Sequence, residues 1–233
     1  MEKPRFYNIG RGVYTLAEAQ VLTGVPTWSI RRWTGGYTYK YRGEYFSMPP
    51  VIGRQPGVNG DPVLNFADLV EVRFLNAFRS HGASWRAIRI ASREAQKLLK
   101  LTHPFSTNLF RTDGRTILGK VNKDPEDVAL LDMLTNQYAF ERVVTPFLYH
   151  GLDFDDDIVA SRWWPLGKKR RVVIDPARSF GAPIGVTSGI PTSIIYRAMK
   201  AEDSIEFVSR WYKISKAEIK DAVTFEARPR LAA

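Results

Sequence analysis

The sequence predicts an α+β fold, mainly α with small β-hairpins: an N-terminal winged helix-turn-helix, followed by a C-terminal trihelical domain that is itself helix-turn-helix-like. Three observations predict it. Two short helical segments flank a glycine-bearing turn near the N-terminus, short β-prone runs bounded by turn residues follow, and three amphipathic segments close the chain. Because 233 residues suit two small domains with a connection, we divide the chain into 1–104, 105–165 and 166–233.

The first two helices are predicted within residues 14–34. Thr15 suits the N-cap of a short helix, and Glu18 stands three positions later to complete a capping box. Gly24 ends that helix, and Pro26 suits the start of a second one. Two short helices joined by a turn containing glycine are the parts of a helix-turn-helix that reads DNA.

Helical spacing gives these two helices an inner and an outer face. The apolar inner positions are Leu16, Ala19, Val25, Ile30 and Trp33. The positions left to contact bases and phosphates are Thr27, Trp28, Ser29, Arg31 and Arg32. Arginine in particular suits bidentate contact with guanine. The alternative is a helical hairpin in an ordinary core, with solvated arginines.

Residues 37–64 are predicted to form the wing. The run YTYKYRGEYF alternates aromatic and basic residues, and the segments MPP, GRQPG and NGDP then supply turns for a floppy tip. The candidate DNA contacts are Tyr39, Lys40 and Arg42, with the two cations on phosphate. A half-buried strand whose polar face happens to be basic explains the same alternation.

Two amphipathic helices are predicted after the wing, capped by Asn65 and Ser84. The run GVPTWSIRRW resembles the start of MerR-like winged helix-turn-helix regulators, and LNFADLVEVRFLNAFRSHGASWRAIR resembles the two helices that follow the wing there. The resemblance covers residues 14–100 and implies binding to double-stranded DNA. It does not extend to effector sensing, because the chain has no cysteine cluster and no long terminal coiled coil.

Charge is distributed unevenly along the chain. The formal net charge of +10 favours a polyanionic partner, with nucleic acid ahead of a membrane surface. Residues 124–157 contain nine acidic residues and a single base, Arg142, and carry −8, which leaves +18 on the remainder. Since such a segment would be repelled by phosphates, we expect it to face solvent, another subunit or a basic partner.

The connecting region is predicted to hold a hairpin over 108–120, a long helix over 125–149, and strands around 158–164 and 172–174. A compact basic run lies between those strands: Lys168, Lys169, Arg170 and Arg171. This run is a candidate contact with DNA phosphate. A solvated loop, or pairing with the acidic residues at 153–157, are the alternatives.

No motif predicts catalysis, and we expect no enzymatic activity, cofactor or metal. The DFDDD stretch begins like a calcium loop and is interpreted as an acidic loop that ends a helix, because Ile158 and Trp164 stand where a calcium loop needs glycine and a carboxylate. The three histidines lack metal-ligand spacing. The absence of cysteine, of an apolar spanning segment and of a signal peptide predicts a cytoplasmic protein without a membrane partner. Nucleic-acid processing by the acidic cluster is the remaining enzymatic alternative.

Three helices near 191–201, 204–212 and 216–226 are predicted to close the chain, capped by Ser204 and Ser215. The apolar positions expected to face inward are Ile194, Ile195, Ala198, Ile205, Val208, Trp211, Ile219 and Val223. The exposed side of the last helix carries two candidate DNA contacts one turn apart, Lys216 and Lys220. Dimerisation, or gripping of a partner protein, is an equally good use of this unit.

Residues 170–226 resemble the family catalogued as domain of unknown function four-three-three, known for small antitoxin proteins. That family shows Asp-Pro, then Gly-Lys-Pro, then Gly-Thr-Arg-Ile-Pro, then three helices in a second helix-turn-helix. The matching residues here are Asp175-Pro176, Gly181, Pro183 and Ile190-Pro191, followed by the helix patterns SIEFVSRWY and SKAEIKDAV. The chain departs from the family at Ala182, Thr187 and Gly189.

A chain that combines a MerR-like N-terminal part with this C-terminal part resembles the longer VapB-type antitoxins. This resemblance implies a homodimer that binds palindromic operator DNA, represses its own operon and neutralises a PIN-like ribonuclease toxin. An arginine could occupy the cation's place in an acidic toxin site, or an acidic stretch could dock on a basic toxin surface. The corresponding candidates are Arg228, Arg230, Asp155 and Asp156. A stand-alone MerR-like transcription regulator, or an architectural DNA-binding protein without a toxin, is the alternative.

Overall fold

A computed structural model describes residues 12–53, 63–80, 85–110, 149–155 and 159–228. The chain forms two compact units. The N-terminal unit comprises Tyr14–His150 with Phe154–Ala160, and the C-terminal unit comprises Gly151–Asp153 with Ser161–Arg230. Both combine helices with small antiparallel β-structure, which confirms the α+β fold class. The three-way division of the sequence stays a prediction.

The N-terminal unit begins with the predicted helix-turn-helix, α1 (Leu16–Thr23) and α2 (Thr27–Gly35). A capping box starts α1: the Thr15 hydroxyl accepts from the Glu18 amide at 3.2 Å, and the Glu18 carboxylate accepts from the Thr15 amide at 2.8 Å. Gly24 ends the helix in the left-handed conformation, with φ 72°. All five predicted inner-face residues are buried: Leu16, Ala19, Val25, Ile30 and Trp33.

The wing is a two-stranded antiparallel hairpin of β1 (Tyr37–Tyr41) and β2 (Glu44–Met48). Arg42 and Gly43 form its turn, and both have positive φ, 51° and 89°, as a type I′ turn requires. The tip therefore lies earlier than the sequence predicted. The proline- and glycine-rich segments that were expected to form it come after the hairpin has closed.

Residues that follow the hairpin return to α2. The Val51 and Ile52 amides donate to the Trp33 carbonyl at 2.8 and 3.1 Å, and both side chains are buried. Gly36 permits the close approach of the two segments: its φ is 72°, and a Cβ there would lie 2.5 Å from the Met48 carbonyl oxygen. The wing is thus fixed at its base to the end of α2.

Two helices follow the wing, α3 (Phe66–Ser80) and α4 (Trp85–Leu99). Asn65 caps α3 as predicted, since its side-chain oxygen accepts from the Asp68 amide at 2.8 Å and the Asp68 carboxylate accepts from the Asn65 amide at 2.8 Å. Such a cap stabilises a helix by about 1 kcal/mol. Ser84, the predicted cap of α4, lies outside the described residues.

An aromatic cluster forms the core beside α3. Its rings lie between 4.7 and 6.5 Å from their neighbours, mostly edge to face, and come from Phe74, Phe78, Phe105, Phe110 and Tyr149. A single turn of 3₁₀ helix, Pro104–Ser106, places the ring of Phe105 against α3. Burying each ring contributes about 1.5–3 kcal/mol.

The start of the predicted second hairpin is helical, so that part of the prediction was wrong. Residues 108–110 form a helical segment, and the Thr107 hydroxyl accepts from the Phe110 amide at 3.4 Å, as an N-cap residue does. The sequence prediction missed this cap because the Asp-Gly pair further on dominated the pattern. The rest of that hairpin, and the predicted long helix apart from Tyr149, lie outside the described residues.

A four-stranded sheet of order β3-β4-β5-β6 precedes the last helices. Its strands are β3 (Leu152–Asp155), β4 (Val159–Trp163), β5 (Val172–Ile174) and β6 (Pro183–Gly185). The second and third of these match the predicted strands. The acidic loop expected at 153–157 is wrong for its first three residues, because Asp153 to Asp155 belong to β3, next to buried Leu152.

Three helices close the chain as predicted: α5 (Thr192–Glu202), α6 (Ile205–Tyr212) and α7 (Lys216–Glu226). Ser204 and Ser215 cap the last two, each hydroxyl accepting from an amide three residues later at 3.2 Å. The helices pack on a core of Ile195, Val208, Ile214, Ile219 and Ala222. Within the described ranges, no helix combines the length and apolar character needed to span a bilayer.

The predicted inner face of these helices is wrong at Trp211, whose side chain is 71% exposed. Tyr212, which stands four residues after buried Val208, packs against the core in its place. The Trp211 ring instead stacks on the exposed ring of Phe207 one turn earlier, with centroids 5.9 Å apart. Helical spacing alone did not distinguish the two neighbouring aromatic residues.

Candidate nucleic-acid interface

The outer face of α2 presents three of the five predicted contacts to solvent. Trp28 is 60% exposed, and Arg31 and Arg32 are exposed beside it. Thr27 is half-buried, and its amide donates to the Gln20 side-chain oxygen at 2.8 Å. The fifth residue, Ser29, is only 8% exposed, so it lacks the solvent access that the prediction assumed. Its place on the helix is beside the packed face.

One face of the hairpin carries four aromatic side chains, which we call the aromatic ladder: Tyr37, Tyr39, Tyr41 and Phe46. The strand register pairs Tyr39 with Phe46, and residues two apart on a strand share a face. The ring centroids of Tyr39 and Phe46 are 5.5 Å apart and nearly parallel. Tyr37 lies 6.1 Å from Tyr39, and Tyr41 lies 6.5 Å from Phe46. The four rings therefore form one continuous row.

Guanidinium groups stand at both ends of the aromatic ladder. Arg32 of α2 lies 5.0 Å from the ring of Tyr37 and 5.3 Å from that of Trp28. Arg42 in the turn lies 5.4 Å from the ring of Tyr41. Cations over ring faces are attracted by the ring quadrupole. The outer face of α2 and the tip of the hairpin are thus linked by consecutive ring and cation contacts.

The other face of the hairpin holds Lys40 and Tyr45, whose ammonium and ring lie 5.5 Å apart. Two of the predicted wing contacts, Tyr39 and Lys40, are therefore on opposite faces. Among the described residues, neither Lys40 nor the two arginines at the ends of the aromatic ladder forms an ion pair. Within that part of the chain, the contacts of these three cations are with aromatic rings.

The basic run of the C-terminal unit is held by carboxylates. Lys168 lies 2.5 Å from Asp153, which is the pairing with the acidic stretch that the sequence allowed. Burial alone would raise the pKa of Asp153, but hydrogen bonds from Lys168 and Trp164 hold it below its usual value. Lys169 is exposed.

Both arginines of that run contact one buried carboxylate of α7. Asp221 accepts from the Arg170 guanidinium at 2.8 Å and from the Arg171 amide at 2.9 Å, and the Arg171 guanidinium lies 3.7 Å away. Of the α7 lysines, Lys220 is exposed and Lys216 is exposed but lies 2.5 Å from Glu206. The predicted contacts of this unit are therefore largely compensated by neighbouring acids.

Two buried carboxylates of α3 form a separate polar cluster. Asp68 accepts from the His103 ring at 2.6 Å, and Glu71 accepts from the amides of Phe105 and Ser106 at 2.8 and 3.1 Å. Burial raises the pKa of Glu71 to about 8, against the lowering effects of His103 and the two amides. Burial also opposes the charged His103, but Asp68 and Glu71 together raise its pKa above the usual value. This cluster joins α3 to the segment after α4.

The predicted toxin contacts are spread over different parts of the chain. Asp155 is exposed at the end of β3. The Arg228 guanidinium lies 3.8 Å from the Phe225 ring and donates to the Phe225 carbonyl at 2.9 Å, so it folds back on α7. Asp156 and Arg230 lie outside the described residues. Within the described ranges, no group of acidic, histidine or cysteine side chains is arranged to hold a metal ion.

Two exposed aromatic features of the C-terminal unit were not predicted. The first is the stacked pair of Phe207 and Trp211 on α6. The second is Phe180, which is 90% exposed and has φ 55°, next to Ser179 with φ 46°. The sequence has no signal for left-handed backbone at two consecutive residues other than glycine. The outward position of Trp211, in contrast, follows once Tyr212 is assigned to the core.

Comparisons with known proteins agree with this geometry. Residues 12–92 match a family model described as "Putative DNA-binding HTH domain". A Mycobacterium tuberculosis protein named "Putative antitoxin VapB45" is 26% identical over 223 residues, which cover 91% of this chain and 92% of that protein. The uncharacterised protein Rv2308 of the same organism is 25% identical over 239 aligned residues, covering 96% and 94%.

A solved structure gives the same fold. The crystal structure of Rv2018 from Mycobacterium tuberculosis matches with a TM-score of 0.70 and 24% sequence identity, over 90% of this chain and 96% of that one. The chain thus begins with a helix-turn-helix domain similar to a DNA-binding family, and it is similar along most of its length to a protein named as an antitoxin.

Proposed function

We propose that the protein is a type II antitoxin that binds operator DNA as a homodimer and represses its own operon. The observation that carries the DNA-binding part is the outer face of α2, where Trp28, Arg31 and Arg32 are exposed on a helix whose other side is packed. A recognition helix of this kind lies in the major groove, where each bidentate arginine–guanine contact contributes about 1–3 kcal/mol of discrimination.

The helix assignment is tested with duplex DNA from the region upstream of the gene. Arg31→Ala combined with Arg32→Ala is expected to weaken specific binding by about 100-fold, because two base or phosphate contacts are removed. The matched control removes two exposed cations from α4, Arg93→Ala with Lys97→Ala, and is expected to change the affinity by less than about threefold. Equal losses in both variants would show that α2 contributes positive charge alone and does not read bases.

The role of the C-terminal cations is tested in the same assay. The candidates there are Lys168, Lys169, Arg170, Arg171, Lys216 and Lys220. We expect Lys216→Ala with Lys220→Ala to weaken binding by no more than about threefold, since Glu206 already compensates the first of these lysines. A loss of affinity as large as that of the α2 variant would indicate that α7 reads bases.

The homodimer is tested by the operator itself. Two identical α2 helices related by a two-fold axis would read half-sites about one helical turn apart, so a protected palindrome is expected in footprinting. Halving the palindrome should lower the affinity steeply, whereas a monomer would bind the half-site equally well.

We further propose that the partner toxin is a PIN-like ribonuclease encoded beside this gene. The similarity to a protein named "Putative antitoxin VapB45" supports a toxin partner in general. The PIN-like class of that partner is what the resemblance to the longer VapB-type antitoxins implies. The candidate contacts are Arg228 and Arg230 of the C-terminal segment, Asp155 at the end of β3 with Asp156 next to it in the sequence, and the exposed Phe207–Trp211 pair of α6. Buried aromatic residues dominate the binding energy of many protein interfaces, which favours the pair on α6.

Growth rescue distinguishes these contacts. The adjacent open reading frame is expected to arrest growth when expressed alone, and co-expression of the full chain is expected to restore it. Phe207→Ala with Trp211→Ala should abolish rescue if α6 binds the toxin, and truncation after residue 227 should abolish it if the arginines do. If the adjacent product does not arrest growth, the antitoxin proposal fails and the alternative of a stand-alone transcription regulator is favoured. The DNA-binding proposal is unaffected by that result.

A further inference from the structure

The aromatic ladder has more apolar ring surface than phosphate binding by a wing requires. A wing that tracks the DNA backbone needs cations and hydrogen-bond donors, which contact phosphate oxygens. Here one face of β1 and β2 is a row of rings that the described residues leave partly open to solvent, with Tyr41 56% exposed. Cross-strand ring pairs also contribute to the stability of the hairpin itself. That role does not account for the cations at both ends of the row.

The charges beside the aromatic ladder indicate the kind of partner. Arg32 and Arg42 lie over its terminal rings, and Glu44, which pairs with Tyr41, is the acid in the described hairpin. Counting Arg31 and Lys40, the described residues from α2 to the end of β2 are clearly cationic. A partner for this surface must offer flat π-faces and negative charge together. Nucleic acid offers both.

The spacing of the rings indicates which form of nucleic acid fits. Neighbouring centroids in the aromatic ladder are 5.5 to 6.5 Å apart. Bases in a duplex are stacked at about 3.4 Å per step along each strand, and their faces are covered by their neighbours. A paired duplex therefore has no open base faces to set against the rings. Unpaired bases have open faces and can spread to the wider spacing, as they do on other stacking platforms.

We propose that the aromatic ladder binds unpaired nucleic-acid bases by stacking, with Arg32 and Arg42 on the flanking phosphates. The inference rests on the proposed function, because it assigns a further ligand to the face that carries α2. It adds a preference that operator recognition does not require: a locally unpaired site, or a free single strand, binds to the hairpin more tightly than the same sequence fully paired.

The test uses the full-length chain and three labelled probes: the upstream duplex, the same duplex with an internal mismatched stretch, and a single strand of thymidine nucleotides. Tyr39→Leu with Phe46→Leu removes the two central rings but keeps apolar side chains in the hairpin. It is expected to weaken binding to the mismatched duplex and to the single strand by at least about 10-fold, and to the paired duplex by less than about threefold. The two unpaired probes separate a distorted duplex from a free strand as the ligand.

Tyr45→Leu is the matched control, because Tyr45 is 75% exposed on the other face of the same hairpin. It is expected to leave the affinity for all three probes unchanged. Tyr39→Trp guards against a leucine variant that fails to fold: it is expected to retain binding, and the single strand should quench its fluorescence more than that of the wild type, which already has six tryptophans. A folded Tyr39→Trp protein that is quenched no more than the wild type overturns the inference.

The remaining outcomes are also decisive. Equal losses on paired and unpaired probes in the leucine variant would mean that the rings serve duplex binding only, which overturns the inference and leaves the proposed function standing. Loss of self-association in that variant, with the single-strand affinity retained, would make the aromatic ladder an interface between two copies and would also overturn it. Failure of the wild-type chain to bind the paired upstream duplex would count against the proposed function separately.

Discussion

The two units of this protein use their charges in opposite ways. In the N-terminal unit, Arg32 and Arg42 lie over aromatic rings, and Asp68 and Glu71 are buried in the first two turns of α3 with a histidine and backbone amides as partners. In the C-terminal unit, cations and carboxylates are paired, most clearly around Asp221. A net charge of +10 therefore does not by itself identify a phosphate-binding surface. The partners of each cation decide which charge remains available.

The strongest change with pH is expected at Glu71, a buried carboxylate whose partners among the described residues are two backbone amides and the nearby His103. The folded-state pKa of Glu71 is about 8 against an ordinary 4.5, so the folded state binds the proton more tightly than the unfolded chain. Stability from this group is fully present below pH 4.5 and is lost as the pH rises towards 8. His103, whose pKa is also raised, acts in the same direction above pH 6.5. Together they are expected to lower the stability of the N-terminal unit by about 3–5 kcal/mol from acid to alkaline pH.

Hydrogen exchange of α3 peptides in the full-length chain measures this loss. Glu71→Gln keeps an acceptor for the amides of Phe105 and Ser106 but cannot ionise, so it should flatten the part of the pH dependence below pH 8. Peptides of α6 serve as the internal control and should respond equally in both proteins. A protection profile in α3 that falls as steeply in Glu71→Gln as in the wild type would contradict the assignment.

A smaller effect is expected in the C-terminal unit when its pairing is broken. Asp221→Ala removes the acceptor of the Arg170 guanidinium and the Arg171 amide and leaves a cavity inside the unit. We expect a loss of about 2–3 kcal/mol in unfolding free energy, below the value for fully buried ion pairs because both guanidiniums are about half exposed. Glu206→Ala, at a surface ion pair, should leave the unfolding free energy almost unchanged. Urea denaturation of both variants checks this, and equal effects would remove the distinction between the two acids.

How far the sequence predicts these units depends on the range of the interactions involved. Local signals predicted the helix caps correctly, because each cap contacts an amide three residues later. These caps are Thr15, Asn65, Ser204 and Ser215. The inner face of the helix-turn-helix also follows from local spacing. The outward position of Trp211 could not be predicted, because it depends on Tyr212 reaching a core built from three helices.

The candidate site shows the same division. Arg31 and Arg32 were predicted from helical spacing, which local sequence determines. The aromatic ladder required the strand register, and the register depends on a turn at Arg42 and Gly43 that the later proline and glycine clusters obscured. For the basic run, the sequence offered Asp153 as a partner, and Lys168 pairs with it. Asp221, the partner of Arg170 and Arg171, was out of reach because it is fifty residues away from Arg171 in the chain.

A still smaller change is expected at one residue of the hairpin turn, Arg42. Arg42 has φ 51°, a left-handed conformation that asparagine adopts more readily than arginine. Arg42→Asn is therefore expected to stabilise the N-terminal unit by about 0.5 kcal/mol in thermal unfolding and to weaken duplex binding about threefold, since one phosphate contact is lost. Arg42→Lys keeps the charge and should retain most of the affinity without the gain in stability. If Arg42→Asn were more stable and bound DNA as well as the wild type, the charge of Arg42 would add nothing to duplex binding, and the contrast between the two units would fail at the hairpin tip.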